Sequence, residues 1–197
     1  MILSVSLVLL AYLLGSISSA VVVSRIMGLP DPRTMGSGNP GATNVLRTGS
    51  KKAAAITLLG DALKGLVPVL LASALGASTT VIALVAVAAF LGHLYPVFFG
   101  FKGGKGVATA LGVFLAVSFP VGLMLGASWA LIAYITKISS ISALIAACLS
   151  PFYIYFVVGE TAYTLMAIFL SVLLVYRHRR NIRDLLSGKE GKISDKG

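Results

Sequence analysis

The sequence predicts an all-α polytopic membrane protein with seven transmembrane helices, the N-terminus outside and the C-terminus cytoplasmic. Three observations lead there. Of 197 residues, 57% are hydrophobic and only 11% charged. Uncharged apolar runs long enough to cross a bilayer recur down the whole chain. The basic residues, which give a net charge of +10, fall in alternate loops. Residues 1–197 read as one integral-membrane domain, because the spans and short loops leave no room for a soluble one. The bases are scattered among apolar spans and form no basic domain, which argues against nucleic acid and for anionic lipid headgroups.

Spans are expected near 2–24, 53–75, 79–98, 106–119, 120–136, 140–158 and 161–176, followed by a cytoplasmic tail 177–197. The first carries no Lys or Arg ahead of its apolar stretch, so it reads as a retained span and not as a cleaved signal peptide. Val107 to Thr136 is the ambiguous stretch, with thirty residues and no charge. One straight helix would measure about 45 Å against a hydrocarbon core of about 30 Å. Ser118-Phe119-Pro120 offers a break inside it. Charge decides the count. With seven spans, Arg25, Arg33, Arg47, Lys51, Lys52, Lys102, Lys105, Lys137 and the seven bases from Arg177 to Lys196 share one side. The opposite loops then carry only Glu160. Six spans would put Lys102 and Lys105 across the membrane from the basic tail.

Polar motifs then gather on the cytoplasmic face. The first is the run Ser37-Gly38-Asn39-Pro40-Gly41-Ala42-Thr43-Asn44 through Arg47. Its glycines allow backbone N–H groups to approach an anion, and its hydroxyls, amides and guanidinium add donors. Gly36 to Gly41 also fits G-x-G-x-x-G, with Asp61 twenty residues on. No strand can precede it, though, and Asp61 lies in a span, so a dinucleotide fold is excluded. The second motif is Gly92-His93 with Pro96 and Gly103-Gly104-Lys105-Gly106, a cation in a glycine turn just before a helix start. It is not a Walker A loop: Gly100 to Gly104 is one residue short, and no Ser or Thr follows Lys105. The third closes the last span. If the helix runs on past the bilayer, His178 and Asn181 share a face, as do Arg179 and Arg183.

A serine turn, Ser139 to Ser142, adds Ser140 and Ser142 as weaker candidates on the same side. Asp61 and Lys64 are charges inside a span at i, i+3, expected either to pair or to face a polar cavity. Cys148 sits in an apolar run with no base beside it and reads as a packing residue.

These motifs, in order and along essentially the whole chain, resemble the bacterial acyl-phosphate:glycerol-3-phosphate acyltransferases of the PlsY type. The resemblance rests on Ser37 to Arg47, on Gly92-His93 with Gly103 to Gly106 and Thr109, and on His178, Asn181, Ile182, Arg183, Gly188 and Glu190. Asp61-x-x-Lys64-Gly65 also looks like the family. It implies a seven-helix bundle in the bacterial inner membrane with a cytoplasm-facing site. It implies transfer of a fatty acyl group from acyl phosphate to the 1-hydroxyl of glycerol 3-phosphate, giving lysophosphatidic acid and phosphate. It also implies a soluble enzyme supplying acyl phosphate as a partner, and no cofactor or metal.

By motif matching, Ser37, Arg47, Lys105, His178 and Asn181 are the expected catalytic residues. Gly38, Asn39, Gly41, Thr43, Asn44, Gly103, Gly104, Gly106 and Arg183 are expected to bind the substrate phosphates, with His93, Asp61, Lys64, Glu190, Ser140 and Ser142 as weaker candidates. No Ser/His/Asp set or activated cysteine is evident for an acyl-enzyme, which favours direct attack by the glycerol hydroxyl. The rivals are an acyl-CoA-dependent glycerolipid acyltransferase, a CDP-alcohol phosphotransferase and a transporter of phosphate esters. Many acyl-CoA enzymes share H-x-x-x-x-D. Here Arg183 stands five after His178 and Phe98 five after His93. The phosphotransferase would need a cluster of membrane-edge aspartates, and those of this chain are scattered. The transporter would call for an internal repeat, and none is visible.

Overall fold

The computed structural model describes residues 1–193; the end of the basic tail, 194–197 with Lys196, lies outside the described residues. Ten α-helices and no strand occur among the described residues: α1 (Ile2–Gly15), α2 (Ser19–Ile26), α3 (Ala42–Arg47), α4 (Lys51–Ala74), α5 (Thr79–Leu94), α6 (Val107–Val117), α7 (Phe119–Thr136), α8 (Ser139–Val157), α9 (Thr161–Arg177) and α10 (Arg179–Leu186). A single 3₁₀ turn covers Val97–Phe99.

Helix α5 is the hub, packed between α1, α4 and α9, with Val85, Ala86, Ala89 and Phe90 fully buried. The outward side chains of the other long helices are apolar, including Leu58, Leu59, Phe152, Phe156, Leu165 and Val172. That pattern suits a bundle solvated by lipid, where helices hold together by close packing and not by hiding hydrocarbon from water. The close packing runs through glycines. A Cβ on Gly15 or Gly92 would strike the Ala89 or Tyr12 carbonyl across the α1–α5 contact. One on Gly65 or Gly112 would strike the Thr109 or Ala62 carbonyl across α4–α6.

Four helical segments are long and apolar enough to cross a membrane unaided, and two bent pairs raise that number to six. The first span is one of these pairs and not a continuous helix, since α1 and α2 meet at 45°. The Ser16 hydroxyl turns back to the Tyr12 carbonyl, and the Ile17 carbonyl leaves the helix ladder to accept from Lys64 Nζ at 2.7 Å. The last span bends by 56° at His178, so the helix does not run straight on. There the His178 ring and backbone both hydrogen-bond to the Leu174 carbonyl.

The break in the long uncharged stretch falls at Ser118, which is extended between α6 and α7. At 11 residues α6 measures about 16 Å, half a hydrocarbon core, because residues 100–106 before it stay irregular. Inside α8, Pro151 frees the Ala147 carbonyl, and both Ser150 and Ser171 donate to it.

Gly112→Ala should lower bundle stability by about 1–3 kcal/mol, because α6 must move off α4. Gly126→Ala meets nothing closer than ordinary contact and should change stability by under about 1 kcal/mol. Thermal unfolding of the two variants in detergent checks the pair.

Candidate active site

The segments carrying the polar motifs meet at one end of the bundle. They are the 27–50 connection, the 95–106 loop, the 137–140 turn and the chain after α9. Arg177 joins the last to the second, donating from Nε to the Gly104 carbonyl at 3.1 Å and from Nη2 to the Gly103 carbonyl at 2.7 Å. Thr43 Oγ1 lies 3.4 Å from Ser139 Oγ, joining the first to the third. Ser140 and Asn181 both donate to Glu190 Oε1, at 2.6 and 2.7 Å, and Ile193 N–H donates to the Lys137 carbonyl.

The first motif holds itself in shape. Asn44 is buried; its amide hydrogens go to the Pro32 and Met35 carbonyls, and its Oδ1 accepts from the Ser37 N–H. The Gly38 and Gly41 N–H groups are taken by the Met35 and Asn39 carbonyls. The expected cradle of backbone donors from Gly38 and Gly41 is therefore absent, and Asn44 has no amide hydrogen left for a ligand. The glycines serve geometry instead. Gly36 and Gly38 adopt positive φ, and a Cβ on Gly36 would strike Asn44 Oδ1. What the loop leaves outward are side chains: the Ser37 hydroxyl, Asn39, Thr43 and Arg47. The Arg47 Nε is buried with no hydrogen-bond partner among the described residues.

The second motif folds back onto the end of α5. Gly104 N–H donates to the His93 carbonyl, and the His93 ring lies against Gly104 so closely that a Cβ there would hit Nε2. With its N–H spent and its carbonyl held by Arg177, Gly104 shapes the loop and offers nothing to an anion; the Gly103 carbonyl is held likewise. The N–H groups of Lys105 and Gly106 make no backbone hydrogen bond among the described residues, and they precede the open first turn of α6. His93 itself is buried, its Nδ1 3.6 Å from Asp61 Oδ1, while Lys64 sits 2.8 Å from that same oxygen. Asp61 and Lys64 thus pair with each other behind the glycine loop.

Lys105 makes no hydrogen bond or ion pair to a described residue. Its partial burial pushes the ammonium down to about 8; Glu190 opposes that shift, and Arg47, Arg177 and Arg180 add to it. Those same influences identify its neighbours. His178 is buried, and burial lowers it to about 4, helped by the Lys105 charge. A carbonyl cannot donate, so the 2.8 Å contact of His178 Nδ1 with the Leu174 carbonyl places the ring proton on Nδ1. Nε2 is left as an acceptor.

Arg183, expected near the phosphates, is exposed. Ser142 is fully buried and turned back to the Ile138 carbonyl within α8, whereas Ser139 is the serine that reaches Thr43. Two contributors were missed in the sequence: Ser139, and Arg177 as the clamp on the glycine loop. Arg177 had no distinguishing signal, because a base after a last span is what topology alone requires.

An end of a lipid-solvated bundle that gathers cations, hydroxyls and open N–H groups defines an integral membrane protein that handles anionic substrates. Residues 5–188 match the family of glycerol-3-phosphate acyltransferases, and the chain belongs to it. It is 61% identical to the glycerol-3-phosphate acyltransferase of Thioalkalivibrio sulfidiphilus over 196 residues, covering 100% of this chain and 97% of that one. To the enzyme of Methylococcus capsulatus it is 57% identical over 186 residues, 94% of each chain. The crystal structure of PlsY (YgiH), an integral membrane glycerol 3-phosphate acyltransferase, superposes in its glycerol 3-phosphate form with a TM-score of 0.92. Identity is 42%, over 96% of this chain and 94% of that one. The lysophosphatidic acid form gives 0.90 at 41% identity over the same shares. The protein is an acyltransferase of the PlsY type.

Asn44→Ala removes its hydrogen bonds to the Pro32 and Met35 carbonyls and the one from the Ser37 N–H, worth about 1.5 kcal/mol or more together. Tryptic cleavage after Arg33 should then accelerate by about tenfold. The bundle's unfolding midpoint, read in parallel, should stay close to that of the parent.

Proposed function

We propose that the protein transfers a fatty acyl group from acyl phosphate to the 1-hydroxyl of glycerol 3-phosphate, releasing lysophosphatidic acid and phosphate for bacterial phospholipid synthesis. The observation that carries this is the surplus of unpaired anion donors around Lys105: Arg47 with its orphaned Nε, Lys105 itself, and the open N–H groups before α6. One phosphate does not need so many. Two phosphorylated substrates do, and the solved relative is known in a glycerol 3-phosphate form and a lysophosphatidic acid form.

In the proposed reaction the glycerol 1-hydroxyl attacks the acyl carbonyl. A C–O ester bond forms, the anhydride C–O bond breaks, and phosphate leaves. Arg47 and Lys105 stabilise the charge that builds on the leaving phosphate, and Ser37, Asn39 and Thr43 orient the phosphates. His178 Nε2 accepts a hydrogen bond from the attacking hydroxyl. Burial and the Lys105 charge lower it to about 4, which makes it a weak base, and a substrate phosphate is the other acceptor at hand for the proton. Glu190 holds Asn181 and Ser140 in place. The acyl chain lies in a groove between helices open to lipid.

Seven crossings with the N-terminus out fit this reading. The loops before α6 and after α7 lie at the same end, so α6 and α7 go out and back, with α6 a short crossing. The site then faces the cytoplasm of the inner membrane, where glycerol 3-phosphate and a soluble acyl-phosphate-forming enzyme would reach it.

Purified protein given acyl phosphate should release phosphate only when glycerol 3-phosphate is added. Equal turnover with acyl-CoA would overturn the donor assignment. Lys105→Ala and Arg47→Ala should each cut turnover by about 10²-fold or more at unchanged unfolding temperature. Cys148→Ala, exposed on the bundle surface, should be silent. Because only the protonated Lys105 binds phosphate, kcat/KM should fall as pH rises through about 8. Lys105→Arg, which stays charged there, should abolish that alkaline limb.

A further inference from the structure

A second basic cavity lies outside the Lys105 cluster. It is a groove of about 690 Å³ where the C-terminal end of α2 meets the 97–102 turn, lined by Arg25, Arg33, Phe98, Phe99, Gly100 and Lys102. None of Arg47, Lys105, His178 or Asn181 lines it. Arg33 donates to both oxygens of Asp31, so one of its three positive charges is balanced. The side chains of Arg25 and Lys102 have no hydrogen bond or ion pair to a described residue. Asp31 also feels the Arg25 charge at longer range, so one carboxylate faces three cations and the groove keeps a net positive charge.

The rim has the opposite character. Phe98, 61% exposed, lines the groove itself, and Ile26 at 78% and Phe101 at 57% are the sequence neighbours of Arg25 and Lys102. A soluble anion would meet the charges and leave these apolar side chains in water. An amphiphile satisfies both, its charged head in the groove and its hydrocarbon against the rim. The groove sits where α2, the second half of the bent first span, ends, and the end of a span is where headgroups are met.

We propose that this groove binds the phosphate headgroup of an anionic membrane lipid, with the acyl chains lying along Ile26 and Phe98. The bound lipid bridges α2 and the turn that leads into the glycine loop. It is distinct from either substrate of the transfer reaction, and it stands whichever acyl donor the enzyme uses.

Native mass spectrometry of the detergent-purified full chain, titrated with phosphatidylglycerol or phosphatidylcholine, tests this. The protein should retain one phosphatidylglycerol about tenfold more tightly than phosphatidylcholine. Arg25→Gln with Lys102→Gln should weaken that retention about 30-fold, and each single change by about fivefold. Lys51→Gln with Lys52→Gln, exposed bases at the start of α4, controls for diffuse attraction and should stay within about twofold. Unchanged retention in the Arg25/Lys102 variants, at an unfolding temperature equal to the parent's, would overturn the proposal. So would equal loss in the Lys51/Lys52 control, or displacement of the lipid by inorganic phosphate at the same concentration.

Discussion

A backbone carbonyl or N–H that leaves a helix ladder within a lipid-solvated bundle must find a partner inside the protein, because no water is at hand. That constraint shapes the breaks inside the spans, and the same economy is seen in the loops at the polar end. The Ile17 carbonyl, freed where α1 breaks, is met by Lys64. The Ala147 carbonyl freed by Pro151 is met by two serines. The Gly103 and Gly104 carbonyls are met by Arg177, and the carbonyls of Pro32 and Met35 by Asn44. Apart from Ser150, which lies in the same helix as Ala147, these partners come from another helix or loop, so local irregularity is converted into connection between segments. The end of the molecule that carries the candidate site is the place where these connections accumulate.

The chemistry depends on a complementary asymmetry. Once the backbone is satisfied by one set of side chains, a different set is left over. Asn44, Arg177, Lys64 and Asp61 are occupied in holding the frame. Arg47 and Lys105 are not, and burial, with the nearby Arg47 charge adding to it, lowers the Lys105 ammonium to about 8. A cation that is partly desolvated and unpaired binds a phosphate more strongly than one already bridged to a carboxylate. Glu190, the acid nearest in effect to Lys105, is engaged with Ser140 and Asn181, so it steadies the site's edge without neutralising its centre.

Much of this was legible before any coordinates. Hydropathy and charge asymmetry gave the helical membrane class, and the order of three spaced motifs gave the family. Motif matching grouped Lys105, Arg47 and His178, and in the fold Lys105 feels the Arg47 charge and His178 feels that of Lys105. It failed where residue type does not reveal which partner a group will choose. Gly38, Gly41 and Gly104 looked like anion donors, yet their N–H groups close turns within the protein. Arg177 looked like a topology anchor, yet it clamps a loop over seventy residues away.

The sequence by itself determined how much of the chain must lie in lipid, which end of the bundle carries charge, and which residue types are available there. Composition and spacing suffice for that, because transfer into lipid depends on each segment's own atoms. Only the tertiary structure decided which polar groups are spent on the fold and which remain for a substrate. A hydrogen bond belongs to two residues at once, and for Arg177, Ser140 and Thr43 the second residue is supplied by a different stretch of chain.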